Sequence, residues 1–184
     1  QMCIRDSLQT VFDITERLSA SNADRMFDTI SDALKQDAMR PRALFERFGI
    51  DVIATTDSAD DPLAYHDAIR ASGWSGRVVP TYRPDAVVDP DRPGFRTALR
   101  RFVEMSGEAG TFAGYLTAHR TRRAYFQERG ATATDHGHPT ADTADLSAAD
   151  AEALFADILA GTADAEARAL FLSLIHISEP TRLR

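Results

Sequence analysis

Three short apolar stretches, each ending abruptly in polar residues, constrain this chain more than any other feature. The sharpest is residues 130–139, Gly-Ala-Thr-Ala-Thr-Asp-His-Gly-His-Pro. Ala131, Thr132, Ala133 and Thr134 are small enough for a strand held between neighbours, and Asp135, His136, Gly137 and His138 follow at once. A buried strand that ends in Asp and His, with a Gly to free the backbone, places chemistry at the carboxyl end of a strand in an α/β enzyme. Asp51-Val-Ile-Ala-Thr-Thr-Asp57 runs in the same way into Asp60, Asp61 and Pro62, and Arg77-Val-Val-Pro-Thr-Tyr-Arg-Pro-Asp85 ends in Arg83 and Asp85. The helical patterns between them predict spacers that bring three polar strand ends onto one rim.

Those patterns follow in order. Leu8, Val11, Phe12 and Ile14 predict a helix over 8–20, and Asn22 can cap a second that carries Met26, Phe27, Ile30 and Leu34. Pro41 suits a helix start and Gly49 a helix end. Ile50, Val52, Ile53 and Ala54 are nearly continuous in apolar character, as in a parallel strand covered on both faces. Pro62 opens the next helix, with Leu63, His66 and Ile69 on one face. Val78, Val79 and Tyr82 form a second strand in which Pro80 denies one ladder donor. Residues 84–93 read as a loop. Helices follow around Phe95–Val103 and along Phe112, Tyr115, Leu116, His119 and Phe126. Ser147, with Asp150 three residues on, predicts a capped helix carrying Ala151, Leu154, Phe155, Ile158 and Leu159.

Strand–helix–strand–helix–strand order implies parallel strands with right-handed crossovers. Three strands do not close a core, so the expected fold class is α/β, a partial (β/α)8 TIM barrel. Residues 1–7 and 172–184 resemble recurring translations of sequencing-adapter DNA. They are expected to be a non-native leader and tail that pack poorly, leaving 8–171 as a central fragment; a short native strand and a natural tail are the alternative.

The chain's 184 residues allow one domain with a real core, and its net charge of -7 argues against nucleic acid or an anionic membrane as partner. A single cysteine, Cys3, excludes an intramolecular disulfide and a thiolate metal cluster. No apolar run reaches the roughly 20 residues of a membrane span, no signal peptide is evident, and the expected location is the cytoplasm.

His136 and His138, one residue apart, would point the same way in an extended segment, as paired metal ligands do. The competing arrangement is one buried His holding Asp135 and one loop His. His66 and His119 lie in helix stripes and are expected in the core or at its rim. Arg83 precedes Pro84, which biases it towards extended backbone, and a guanidinium at a pocket rim suits bidentate contact with a carboxylate. An ion pair with Asp85 is the structural alternative. Asp57, Asp60 and Asp61 can bind hydroxyls or a divalent ion, or meet a helix dipole. The chain has no Walker loop, dinucleotide glycine pattern or Ser elbow.

Leu44-Phe-Glu-Arg-Phe-Gly-Ile-Asp-Val-Ile-Ala-Thr-Thr-Asp57, Val79-Pro-Thr-Tyr-Arg-Pro-Asp85 and Ala133-Thr-Asp-His-Gly137, in this order and spacing, resemble the uronate isomerase family, whose members are amidohydrolase-like TIM barrels. The resemblance covers residues 8–171, about a third of a family chain. It implies an aldose–ketose isomerase that interconverts D-glucuronate with D-fructuronate and D-galacturonate with D-tagaturonate. It also implies a divalent metal cofactor, zinc first, whose main ligands lie outside this stretch. On the resemblance, Arg83 holds the substrate carboxylate, with Asp57 and Asp61 as further substrate-binding candidates. His136 and Asp135 are the catalytic candidates, and His136 is a candidate metal ligand. Where the family tends to read Thr-Thr-Asp-Asp-Pro, this chain reads Thr-Thr-Asp57-Ser-Ala-Asp-Asp61-Pro62, so either Asp can stand at the family position. The expected partner is a small uronate, with a homo-oligomeric parent left open, and the isolated chain is expected to be inactive. A related metal-dependent amidohydrolase and a non-catalytic sugar-acid-binding barrel are the alternatives.

Overall fold

The computed structural model describes residues 2–105, 107, 110–137, 140 and 142–178, with side chains from Arg5 to Leu174. The chain divides into two units, 1–51 and 52–184.

The first unit holds α1 (Met2–Phe12), α2 (Ala23–Leu34), a 3₁₀ turn (Asp37–Met39) and α3 (Pro41–Arg47). The helix expected over 8–20 begins earlier and stops at Phe12, because Asp13 turns left-handed with φ 56°. Asn22 stands at the N-cap of α2, yet its side chain serves the preceding loop. Its Oδ1 accepts the Ser19 N–H at 2.8 Å, and its Nδ2 donates to Glu16 at 3.0 Å. Pro41 occupies the first turn of α3, where its missing N–H leaves no bond unmade.

The second unit opens with β1 (Val52–Ser58), α4 (Ala64–Ala71) and β2 (Arg77–Arg83). The two strands are parallel, with Val52 opposite Arg77, Asp57 opposite Tyr82 and Ser58 opposite Arg83. A third strand over 131–134 does not form in full. Among the described residues, the segment makes one parallel bridge, Tyr82 to Thr134. Tyr82 N–H donates to Ala133 O at 3.4 Å, and Asp135 N–H donates to Tyr82 O at 3.0 Å. Backbone groups alternate between the two sides of a strand, so Pro80 directs the same edge as Tyr82 towards this segment. Its absent N–H therefore falls on that side, which ends the ladder there and leaves the β1–β2 pairing whole. The order is β1, β2, 133–135, all parallel, so the three carboxyl ends share one edge.

The remaining helices are α5 (Asp85–Val88), α6 (Phe95–Glu104), α7 (Phe112–Glu128), α8 (Ala148–Ala160) and α9 (Ala165–Ser178). The short α5 lies in the stretch read as a loop, and it buries Val87 and Val88. Tyr82, Phe102, Tyr115, Phe126, Phe155 and Phe171 fill the core. Tyr115 stacks on Phe155 with centroids 5.2 Å apart, and Tyr82 meets Phe126 edge-on at 5.1 Å. The helix stripes of α6, α7 and α8 are buried except at Phe112, Leu116 and Leu159, which are half-buried against the core. Ser147 caps α8 as its sequence predicts, its Oγ accepting the Asp150 N–H at 3.2 Å. The carboxyl end departs from the expectation of poor packing: Ser173 and Leu174 on α9 are buried. Their helical, apolar spacing continues that of Leu170 and Phe171, which suffices to bury them. Ile175 and Ile177 have side chains outside the described residues. At the other end, Arg5, Asp6 and Ser7 on α1 are exposed.

Candidate carboxylate-binding site

β2 carries Arg83 to its carboxyl end, and Pro84 then turns the chain into α5, whose first residue is Asp85. Tyr82 and Arg83 point to opposite faces of the strand. Tyr82 is sunk among the helices, while the Arg83 side chain stays 41% exposed. Arg83 Nε donates to Asp85 Oδ2 at 2.6 Å, and Nη1 donates to Asp135 Oδ2 at 3.1 Å. The bridge between Tyr82 and Thr134 is what brings Asp135 this close.

The two carboxylates are held unequally. Asp85 has a side chain only 10% exposed. Its Oδ1 accepts the Gly137 N–H at 3.0 Å, and Arg92 Nη1 lies 3.9 Å from its Oδ2. Burial pushes the Asp85 carboxyl up, but the Gly137 N–H, Arg83 and Arg92 outweigh it and hold it below the ordinary carboxylate value. Hydrogen bonding to Asp85, then the charges of Asp85 and Asp135, raise Arg83 further. Asp135 is 45% exposed and pairs with Arg83 through one oxygen. An exposed pair of that kind is worth about 0–1 kcal/mol. A Cβ at Gly137 would stand 2.7 Å from Asp85 Oδ2 and 2.9 Å from Arg83 Nη2, so a side chain there would displace the pair.

His136 is half-buried beside this cluster, its Nε2 3.2 Å from Thr134 Oγ1. With Tyr82, Pro84, Val88, His119, Arg123 and Thr134 it lines a cavity of about 10 Å³. His119 is buried behind, its Nδ1 2.7 Å from the Tyr82 hydroxyl and its Nε2 without a hydrogen-bond partner among the described residues. Burial, then the positive charges of Arg123 and His136, push its pKa down to about 3, so the ring is neutral. Burial pushes the Tyr82 phenol well up. His138, the second member of the spaced histidine pair, lies outside the described residues.

The β1 exit is built differently. Asp57 faces the helix side, accepting a bond from Thr55 Oγ1 at 2.7 Å, with its Oδ2 3.7 Å from His66 Nε2. Asp60 accepts from Ser58 and pairs with Arg101. Asp61 Oδ1 accepts the Leu63 N–H at 2.6 Å, which holds the left-handed turn (φ 54°) that opens α4 in place of Pro62. Arg122 on α7 is buried behind this exit. It donates to Ala59 O at 2.8 Å and to Asp61 O at 2.6 Å. The structure therefore brings Arg83, Asp135 and His136 into one neighbourhood and ties Asp57 and Asp61 to local partners. Asp85, Gly137 and Arg122 are the residues that sequence reasoning undervalued. The Arg-Pro-Asp and His-Gly runs carried the first two signals.

Alternating strands and helices on a parallel sheet, with polar groups at the strand exits, define an α/β chain with a candidate site on one sheet edge. The glucuronate isomerase family model matches residues 4–175, and the chain belongs to that family. It is 58% identical over 163 residues to a uronate isomerase of Brucella canis, covering 87% of this chain and 35% of that protein. A uronate isomerase of Rhizobium meliloti is 55% identical over 166 residues, again with 35% of its length covered. The crystal structure of glucuronate isomerase from Caulobacter crescentus superposes with a TM-score of 0.87 at 48% identity, covering 94% of this chain and 36% of that one. A uronate isomerase structure from Thermotoga maritima, at 22% identity and a TM-score of 0.84, shares the fold. The chain thus spans about a third of the length of the relatives it matches.

Proposed function

We propose that this chain is the part of a uronate isomerase that holds the substrate's carboxylate. The protein containing it interconverts D-glucuronate with D-fructuronate and D-galacturonate with D-tagaturonate. The observation that carries this reading is Arg83, a half-exposed guanidinium at a strand exit, oriented by Asp85 and paired along its Nη edge with the more exposed Asp135. Orientation of the sugar acid is set there before chemistry begins. His136 and Asp135 are the groups of this chain that serve proton handling at the neighbouring carbons. Asp61 supports the turn that opens α4 and Asp57 is bonded to Thr55, and both stay candidates for the substrate's hydroxyls. The parallel order and the shared strand edge support a partial (β/α)8 barrel completed by the rest of the protein.

A divalent ion, zinc first, belongs to this reading and would polarise the substrate's C1 and C2 oxygens. Among the described residues no three His, Cys, Asp or Glu side chains converge on a possible ion. His136 can offer one ligand, so this chain's own share is binding and proton handling. No helix among the described residues is long and apolar enough to cross a membrane, which agrees with a cytoplasmic enzyme of sugar-acid metabolism.

The test is a coupled assay for D-fructuronate and D-tagaturonate. The uninterrupted reading frame containing this chain should convert D-glucuronate without change of mass. The 184-residue chain alone should not, with or without added zinc or manganese. Hydrolysis in place of isomerisation would overturn the reading, as would metal-dependent turnover by the isolated chain.

A further inference from the structure

We infer that the two carboxylates on Arg83 have different ranks: Asp85 is a fixed positioning residue, and Asp135 is an internal placeholder that a sugar acid's carboxylate displaces. The inference rests on the uronate reading and adds how the site is kept before substrate arrives. A guanidinium presents its donors in a rigid fork, so a carboxylate that takes the outer edge must take the donors now used there. Nε is committed to Asp85 at 2.6 Å. Nη1 is used by Asp135 at 3.1 Å. An incoming carboxylate therefore meets Asp135 first.

The partners' surroundings decide which one yields. Asp85 is nearly buried, takes the Gly137 N–H on its other oxygen and has Arg92 close by. Its removal from Arg83 would strand a desolvated anion, which is costly. Asp135 is close to half exposed, and no second donor to its carboxylate is recorded among the described residues. Water solvates it as soon as it lets go. It also sits on a segment fastened to β2 by backbone bonds at residues 133 and 135, so its side chain can swing without the strand moving. Asp135 thus keeps Arg83 charge-balanced when empty and is released as a free carboxylate beside the bound sugar.

The experiment is a titration of the 184-residue chain with D-glucuronate, with D-glucose as the control that lacks the carboxylate. Carbon-13 signals of the Asp85 and Asp135 carboxyls and the nitrogen-15 signals of Arg83 are followed. With D-glucuronate, the Asp135 and Arg83 Nη signals should shift in a saturable way while Asp85 stays constant, and D-glucose should move none of them. Asp135→Asn should tighten D-glucuronate binding by up to about fivefold, the most an exposed pair of this kind can oppose. Asp91→Asn removes the same charge from an acid paired with Arg168 instead and should change nothing. Asp85→Asn should weaken binding, with an unchanged circular dichroism spectrum confirming that the fold is kept. Saturable binding with an unmoved Asp135 signal would overturn the inference, as would equal tightening by Asp135→Asn and Asp91→Asn, or no carboxylate-dependent response. Isomerase turnover in the full reading frame with no exchange at Asp135 sinks this inference alone. Exchange without turnover sinks the isomerase reading alone.

Discussion

The exits of β1 and β2 lie side by side on one sheet edge, and both are rich in charge, yet they are put to opposite use. At the β1 exit every acid is consumed locally: Asp57 by Thr55 and His66, Asp60 by Ser58 and Arg101, Asp61 by the Leu63 N–H. At the β2 exit Arg83 is held by the buried Asp85 and the half-exposed Asp135 and keeps part of its own side chain exposed. Register explains part of the contrast. Asp57 pairs with Tyr82 and so faces the helices with it, whereas Ser58 pairs with Arg83 on the opposite face. Arg83 thus reaches the face that the helices do not cover, while His136 lines a cavity with Tyr82 and His119.

Substitutions can break or sharpen that comparison, and the largest effect is expected behind β2. His119 is neutral and buried, with a pKa near 3 in the fold against about 6.5 when unfolded. Its folded value is the lower one, so the unfolded chain binds more protons between those limits. Stability should be full above about pH 6.5 and should fall as pH drops towards 3. His119→Phe should flatten that limb in urea unfolding at pH 4 to 7. A limb of the same steepness in the variant would remove the neutral imidazole from the account.

At the β1 exit, Arg122→Ala leaves the carbonyls of Ala59 and Asp61 without their donor. We expect a loss of about 3 kcal/mol in unfolding free energy, as for charged hydrogen bonds to buried carbonyls, with the chemical shifts of Arg83 unchanged. A shift at Arg83 would show that the two exits are coupled. Gly137→Ala should cost about 1–3 kcal/mol by overpacking against Asp85 and Arg83, and it should also disturb D-glucuronate binding, which Arg122→Ala should not. The smallest effect belongs to Ser147→Ala, a cap on α8 remote in sequence from both exits. Its expected cost is about 1 kcal/mol, with carboxylate binding intact.

The stripes of α6 to α8 and the cap at Ser147 were legible from local sequence, whereas Phe27 and Leu34 on α2 are exposed and β1, expected covered on both faces, leaves Val52 and Ile53 exposed. The third strand was legible as a segment but not as a ladder, since Pro80's effect depends on which neighbour its missing N–H faces. Arg83 stood out through Pro84 and the polar strand end. Its partners were harder: Asp85 reads equally as partner or rival, and Asp135 approaches only through the bridge at Thr134. The local partners of Asp57 and Asp61, Thr55 and the Leu63 N–H, were not legible, because sequence shows a carboxylate but not the donors it meets. Arg122 shows the converse, a basic residue within α7 whose carbonyl partners lie about 60 positions away.

The most direct test of the contrast between the exits is steady-state kinetics on the uninterrupted reading frame, comparing Arg83→Ala with Asp61→Asn. Arg83→Ala should lower kcat/KM for D-glucuronate by about 30-fold or more, chiefly through KM, as expected when a hydrogen-bonded charge pair loses one partner. Asp61→Asn should lower stability while leaving kcat/KM per folded molecule near that of the unaltered enzyme. An Arg83→Ala enzyme with unchanged kcat/KM, or an Asp61→Asn enzyme that folds normally and fails to capture D-glucuronate, would contradict the assignment of the β2 exit as the carboxylate site.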